Sequence, residues 1–145
     1  NKQCKEKVKV GVNFKELYDF CLQFIYDEVK KLGLINENVK KSKKLSDSYI
    51  AKLLMPHGLG HFIGLDVHDV GGSLYNYRNK TGGIVLKRNM VITIEPGIYF
   101  IRELLDENLD LFNNITDYYH VGGVRIEDVI VVKNKGYKQL NNVVR

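Results

Sequence analysis

Met55-Pro56-His57-Gly58-Leu59-Gly60-His61-Phe62-Ile63-Gly64-Leu65-Asp66-Val67-His68-Asp69 holds three of the chain's four histidines, and whether it is helix or strand decides the fold. His57 and His61 have the i, i+4 spacing of a zincin helix. That motif needs Glu directly after the first His and a helical backbone to carry both rings on one face. Here position 58 is Gly, position 60 is Gly, and Pro56 precedes. Between His57 and Gly72 the chain carries five glycines, at 58, 60, 64, 71 and 72, with apolar residues between them. The pattern predicts short strands and tight turns. Glycine between histidines suits a backbone that passes close to a ligand or to another strand.

Upstream, Phe14, Leu17, Tyr18, Cys21, Ile25, Val29 and Leu32 recur at three- and four-residue spacing. This predicts an amphipathic helix over 14–32, opened by Asn13 and closed by Gly33, with Lys30 and Lys31 in the last turn suiting the helix dipole. Lys40–Lys44 reads as a polar break. A shorter helix is expected from Ser46 or Asp47 to Leu54, ended by Pro56, which disfavours helical geometry at Met55. Downstream, Asn76–Gly83 reads as a loop. Met90–Phe100 and Gly123–Val132 read as strands rich in Val and Ile, with a short helix near Arg102–Phe112 between them. No βαβ alternation or internal repeat is present. The expected fold class is therefore mixed α+β with an antiparallel sheet.

Imidazole ligates first-row metals when neutral, so the histidine cluster reads either as a metal or active site or as three core histidines. Two acids add to it. Glu95 sits in the apolar run Val91–Ile94 ended by Pro96-Gly97, on the face of Val91 and Thr93; Glu127 sits in Gly122–Val132, on the face of Arg125 and Val129. A lone acid in such a strand is costly to bury unless it is paired, protonated or metal-bound. Glu127 could pair with Arg125, and either acid could face solvent. The same oddity in two strands beside a histidine cluster points to a shared cation. Carboxylate oxygens with one imidazole suit a harder metal such as Mn²⁺.

Three blocks in order, Met55–Asp69 with Gly71-Gly72, then Glu95–Phe100, then Gly122–Glu127, resemble the prolidase branch of the pita-bread metallopeptidases. Val10-Gly11-Val12 leading into the first long helix fits the same pattern, so the resemblance runs from about residue 9 to the end. It implies a partial pita-bread fold, with a curved antiparallel sheet and flanking helices, and a two-metal site, most in keeping with Mn²⁺ although Co²⁺ or Zn²⁺ would serve. That site would activate water to cleave Xaa-Pro dipeptides. By position, His61, Glu95 and Glu127 would be metal ligands, Glu95 also shuttling protons. His57 and His68 would hold substrate and stabilise the tetrahedral intermediate, and Arg125 would orient Glu127 or the substrate. Asp66 and Asp69 fit turns, or the orienting of His68, better than ligation. The resemblance also implies a homodimer.

Two departures from that pattern stand out. The family draws two aspartate ligands from a strand pair upstream of the first helix, and Asp19, Asp27 and Asp47 cannot replace them from their helical positions. Residues 1–145 therefore read as the C-terminal portion of a catalytic domain, expected to bind metal weakly and to be inactive alone. Asn1, with no initiator Met, fits a processed or partial chain. The family's arginine for the proline carboxylate lies in the loop here spanning Tyr75–Asn89, where Arg78 or Lys80 could serve. Rival readings on the same fold are an aminopeptidase P, a methionine aminopeptidase, and a degenerate binding module. The proline-directed branch is favoured over the methionine one by the His57–His61 and Leu65–Asp69 runs.

Composition limits the other classes. The net charge of +5 comes from residues 1–52, which hold 12 Lys/Arg against 7 Asp/Glu; residues 53–145 hold 10 of each. No aromatic residues interleave with the Lys40–Lys44 cluster, so a nucleic-acid platform is not expected. No apolar run approaches the ~18 residues that span a bilayer, and no signal peptide is seen. Cys4 and Cys21 without a secretory signal suit a reducing, cytoplasmic setting, with Cys21 on an apolar stripe as core rather than nucleophile.

Overall fold

The computed structural model describes residues 1–70, 74 and 82–141. The chain divides into two compact units: Asn1–Cys21, Gly58–Pro96 and Ile126–Arg145 form the first, and Leu22–His57 with Gly97–Arg125 form the second.

In the first unit, β1 (Val91–Ile94), β4 (Asp128–Val132) and β5 (Tyr137–Gln139) form an antiparallel sheet in the order β1-β4-β5. The register of β1 on β4 runs from Val91 opposite Val131 to Ile94 opposite Asp128. Strand alternation divides these residues between two faces. Ile92, Ile94, Ile130 and Val132 turn inward and are fully buried. Each such side chain contributes roughly 1.5–3 kcal/mol of apolar burial. Along β1 runs the 59–63 segment, joined by Glu95 N to Leu59 O at 2.8 Å and Thr93 N to His61 O at 2.9 Å. It is mostly irregular, with an antiparallel bridge at Phe62–Ile92.

Helix α1 (Lys2–Glu6) also belongs to this unit. Its Lys5 forms a buried ion pair with Asp128 at 2.6 Å and donates to Gln139 Oε1 at 2.8 Å. Cys4 and Cys21, both buried, hydrogen bond to each other. That bond first, and burial second, hold the Cys21 proton on, which suits core better than nucleophile. The Lys-rich opening is thus not simply a solvated face. One of its lysines compensates a buried aspartate.

Helix α2 (Phe14–Lys31) begins in the first unit and continues into the second. Asn13 Oδ1 accepts from Lys15 N at 2.8 Å, and Gly33 takes the positive φ of +74° that closes the helix. In the second unit follow α3 (Glu37–Ser42) and α4 (Asp47–Leu54), the latter opened by Ser46 accepting from Tyr49 N at 3.2 Å. It ends at Met55, before Pro56, as expected. The expected break at Lys40–Lys44 needs correction. Asn36 caps a helix that runs through Lys40 and Lys41 to Ser42, and Lys40 reaches forward to Asp47 and back to the Tyr26 hydroxyl. Strands β2 (Gly97–Tyr99) and β3 (Gly123–Arg125) pair antiparallel. Between them lie α5 (Arg102–Leu105) and two 3₁₀ segments, Asp106–Leu111 and Ile115–Val121.

Both long strands expected from sequence are therefore broken. The first stops at Glu95-Pro96 and the second at Ile126-Glu127, and the breaks lie opposite each other. Proline cannot donate to the ladder. Among the described residues no helix is long and apolar enough to cross a membrane.

Candidate metal centre

The breaks place the acids. The β1–β4 register sets Ile94 opposite Asp128, and its continuation by one residue brings Glu95 opposite Glu127, with Ile126 N donating to Pro96 O just beyond. On the other side of β1, His61 is hydrogen bonded to Thr93, two residues before Glu95 and on its face. Three segments distant in sequence thus bring one imidazole and two carboxylates together. One donor atom from each of His61, Glu95 and Glu127 lies within 4.8 Å of the others.

Local bonds hold His61 and Glu95. His61 Nδ1 lies 2.8 Å from the Phe62 carbonyl. A proton on Nδ1 there leaves Nε2 as the ligating atom, the arrangement by which outer hydrogen bonds orient metal-binding imidazoles. Nε2 lies 3.3 Å from Glu95 Oε1. Thr93, fully buried, accepts from His61 N at 2.9 Å and donates to Glu95 Oε1 at 3.0 Å. Gly60 permits the approach, since a Cβ there would fall 2.0 Å from the Thr93 carbonyl oxygen. The expected role of a glycine between the histidines is borne out at this position. Glu95 is buried, whereas Glu127 faces solvent, one of the two alternatives left open for each acid, so the burial argument applies to Glu95 alone. The donor set fits a divalent cation that takes oxygen with imidazole nitrogen.

The remaining site residues divide between the units. In the first, His68 is exposed with its ring centroid 4.4 Å from that of His61, nearly perpendicular. Asp66 and Asp69 build the turn around Gly64: Gly64 N donates to Asp66 O at 3.1 Å and Asp69 N to Phe62 O at 3.1 Å. In the second, His57 packs edge-on against Tyr99 with centroids 5.3 Å apart, and Arg125 Nε donates to the Tyr99 hydroxyl at 2.5 Å. Arg78 and Lys80 lie outside the described residues, as do Gly71 and Gly72.

Sequence reasoning missed Tyr99, the common neighbour of His57 and Arg125. Its signal was present in the glycines at 97 and 123: a Cβ on either would fall 2.6 Å or less from the Tyr99 ring. It also passed over Asp128, which lies on the opposite face from Glu127, is fully buried, and is paired with Lys5.

Comparison with known proteins fits this geometry. Residues 1–134 match Metallopeptidase family M24. A probable Xaa-Pro aminopeptidase of Botryotinia fuckeliana is 33% identical, the match covering 99% of this chain and 32% of that protein. An Xaa-Pro dipeptidase of Rattus norvegicus is 35% identical over 95% of this chain and 31% of its own length. The chain thus spans about a third of these relatives. Among solved structures, zinc-substituted E. coli aminopeptidase P in complex with product superposes with a TM-score of 0.70 at 25% identity, covering 95% of this chain and 28% of that one. Pseudomonas aeruginosa aminopeptidase PepP gives 0.68 at 29% identity, covering 94% and 27%. With its ordered signature blocks, its antiparallel strands and its His-Glu-Glu group, the chain belongs to metallopeptidase family M24 and carries part of the pita-bread fold of the aminopeptidase P structures.

Proposed function

We propose that the protein is a two-metal peptidase that hydrolyses Xaa-Pro dipeptides, and that residues 1–145 are the C-terminal portion of its catalytic domain. The observation that carries this reading is the convergence of His61, Glu95 and Glu127 to within 4.8 Å. His61, Glu95 and Glu127 would be the ligands that this part of the chain supplies to the divalent ions; Mn²⁺ is the preferred metal, with Co²⁺ or Zn²⁺ as alternatives. When bound, such a pair supplies an activated water near neutral pH and Lewis-acid stabilisation of developing charge. Glu95, braced by the Thr93 hydroxyl, would also carry the proton. His68 beside His61, and His57 on Tyr99, would hold the substrate, and Arg125 would orient its end or Glu127. Arg78 is the proposed partner of the proline carboxylate.

The pattern calls for two further aspartate ligands upstream, for which relatives three times as long have room. Alone, the 145 residues would then bind metal weakly and hydrolyse nothing. We place the whole protein in the cytoplasm as a homodimer acting on small peptides, apart from nucleic acid and membrane.

A second reading, cleavage of longer Xaa-Pro peptides, is favoured by the aminopeptidase P structural neighbours. The test is hydrolysis by the full-length protein with added Mn²⁺. Cleavage of glycyl-proline that disappears in Glu127→Ala supports the dipeptidase. Cleavage confined to longer Xaa-Pro peptides selects the second reading. Cleavage of neither, with no metal uptake, identifies a degenerate binding module.

A further inference from the structure

Proline at 96 leaves a gap in the strand ladder, and a distant side chain fills it. Ile126 N donates to Pro96 O at 3.4 Å. In a hydrogen-bonded antiparallel pair the return bond would run from residue 96 N–H to the Ile126 carbonyl, and proline has no N–H to give. The Ile126 carbonyl accepts instead from the Asn1 side-chain amide at 2.9 Å. The same nitrogen donates to the Ile94 carbonyl, also at 2.9 Å. Ile94 immediately precedes Glu95, and Ile126 immediately precedes Glu127. One amide therefore ties together the backbone just upstream of both carboxylates.

Asn1 directly precedes α1, and its side chain makes no bond to the first turn of that helix. The helix is itself fixed to the sheet by the buried Lys5–Asp128 pair, so the amide is delivered to the ladder from a rigid support.

We infer that Asn1 is a positioning residue for the metal ligands: it substitutes for the N–H that Pro96 lacks and so fixes the spacing of Glu95 and Glu127. This rests on reading His61, Glu95 and Glu127 as a metal centre. Partners that orient metal ligands typically cost about 10–100-fold in metal affinity when removed.

The experiment titrates Co²⁺ into the full-length protein and its variants, reading affinity and the visible absorption spectrum of the ion, with Tm of the metal-free proteins measured alongside. Asn1→Leu is expected to weaken Co²⁺ binding about tenfold or more and to alter the spectrum. Asn1→Ser, which keeps one donor and adds no bulk, is made in case leucine prevents folding, and should fall between. Pro96→Ala restores an N–H at position 96, so in that background Asn1→Leu should lose most of its effect on affinity. Such non-additivity marks two residues serving one bond. A lowered Tm with unchanged Co²⁺ affinity and spectrum, or full additivity with Pro96→Ala, would overturn the inference. Absence of Co²⁺ binding by the unaltered protein would instead refute the metal centre itself, and hydrolysis data bear on neither outcome.

Discussion

Glu127 and Asp128 are neighbours in sequence with like chemistry, and they sit on opposite faces of the same strand pair. On the front, Glu127 is exposed and converges with His61 and Glu95. On the back, Asp128 is fully buried, paired with Lys5 at 2.6 Å and bonded to Gln139 at 2.8 Å. The front gathers two carboxylates beside an imidazole, the donor set proposed above for a divalent ion. The back neutralises its charge within the chain and fastens α1 to the sheet. A buried pair does not have to add net stability, but losing one partner is costly because the other charge is stranded.

The largest expected effect is on the front. Glu127→Ala in the full-length protein should lower Xaa-Pro hydrolysis by about a thousandfold or more, equivalent to ~4 kcal/mol of transition-state stabilisation. The metal-free unfolding temperature should stay unchanged or rise, since a repelling carboxylate is removed. A variant with reduced metal-free stability and full activity would reverse the assignment of the two faces.

On the back, Lys5→Met should destabilise the protein by about 3–5 kcal/mol in denaturant titration, because Asp128 is left charged and buried. The double variant Lys5→Met with Asp128→Leu should recover most of that loss. Failure to recover would mean that Asp128 does more than pair with Lys5. Between the faces lies Gly60. Gly60→Ala sets a Cβ against the Thr93 carbonyl and should cost about 1–3 kcal/mol, while weakening Co²⁺ binding through displacement of His61. Unchanged affinity would show that the 59–63 segment can shift without carrying His61 with it.

The smallest effect uses a control pair in the second unit. Burial opposes ionisation of Asp47, but hydrogen bonds from Lys40 and Gln23 outweigh it and hold its carboxyl below the ordinary range. The Tyr26 hydroxyl, ahead of Lys30, does the same for Glu37 against a smaller effect of burial. A depressed folded-state pKa gives stability that is present above the unfolded value near pH 4 and lost as pH falls below it. Because these groups are partly solvated, the loss for the Lys40–Asp47 pair should be about 1 kcal/mol or less. Lys40→Met should remove that pH dependence with little change at pH 7. A loss at pH 7 as large as that of Lys5→Met would erase the distinction between the buried and the solvated pair.

What could be read in advance was local. The α2 stripe, Asn13, Gly33, Ser46 and Pro56 act within a few residues of where they stand, so spacing and backbone preference suffice to place those helices. Gly60 was legible as a close approach because only a missing Cβ explains glycine between two histidines. The His61, Glu95 and Glu127 grouping was legible through two acids in apolar strands and the order of three blocks. Asn36 was missed as a cap because the Lys40–Lys44 run hid a six-residue helix that Lys40 itself ties to Tyr26 and Asp47. Tyr99 was missed because its partners, Gly97 and Gly123, meet it across β2 and β3.

Residue order alone settles the mixed fold class, the principal helices with their ends, and the residue types from which a metal centre could be built. Long-range packing is needed to bring Glu95 opposite Glu127, to bury Asp128 while Glu127 stays exposed, and to set the Asn1 amide against the Ile126 carbonyl that Pro96 leaves without a donor. Period-two alternation puts neighbours on opposite faces, but it cannot say which face a helix will cover. That depends on where α1 lies, and α1 is held by a contact spanning more than a hundred residues of chain.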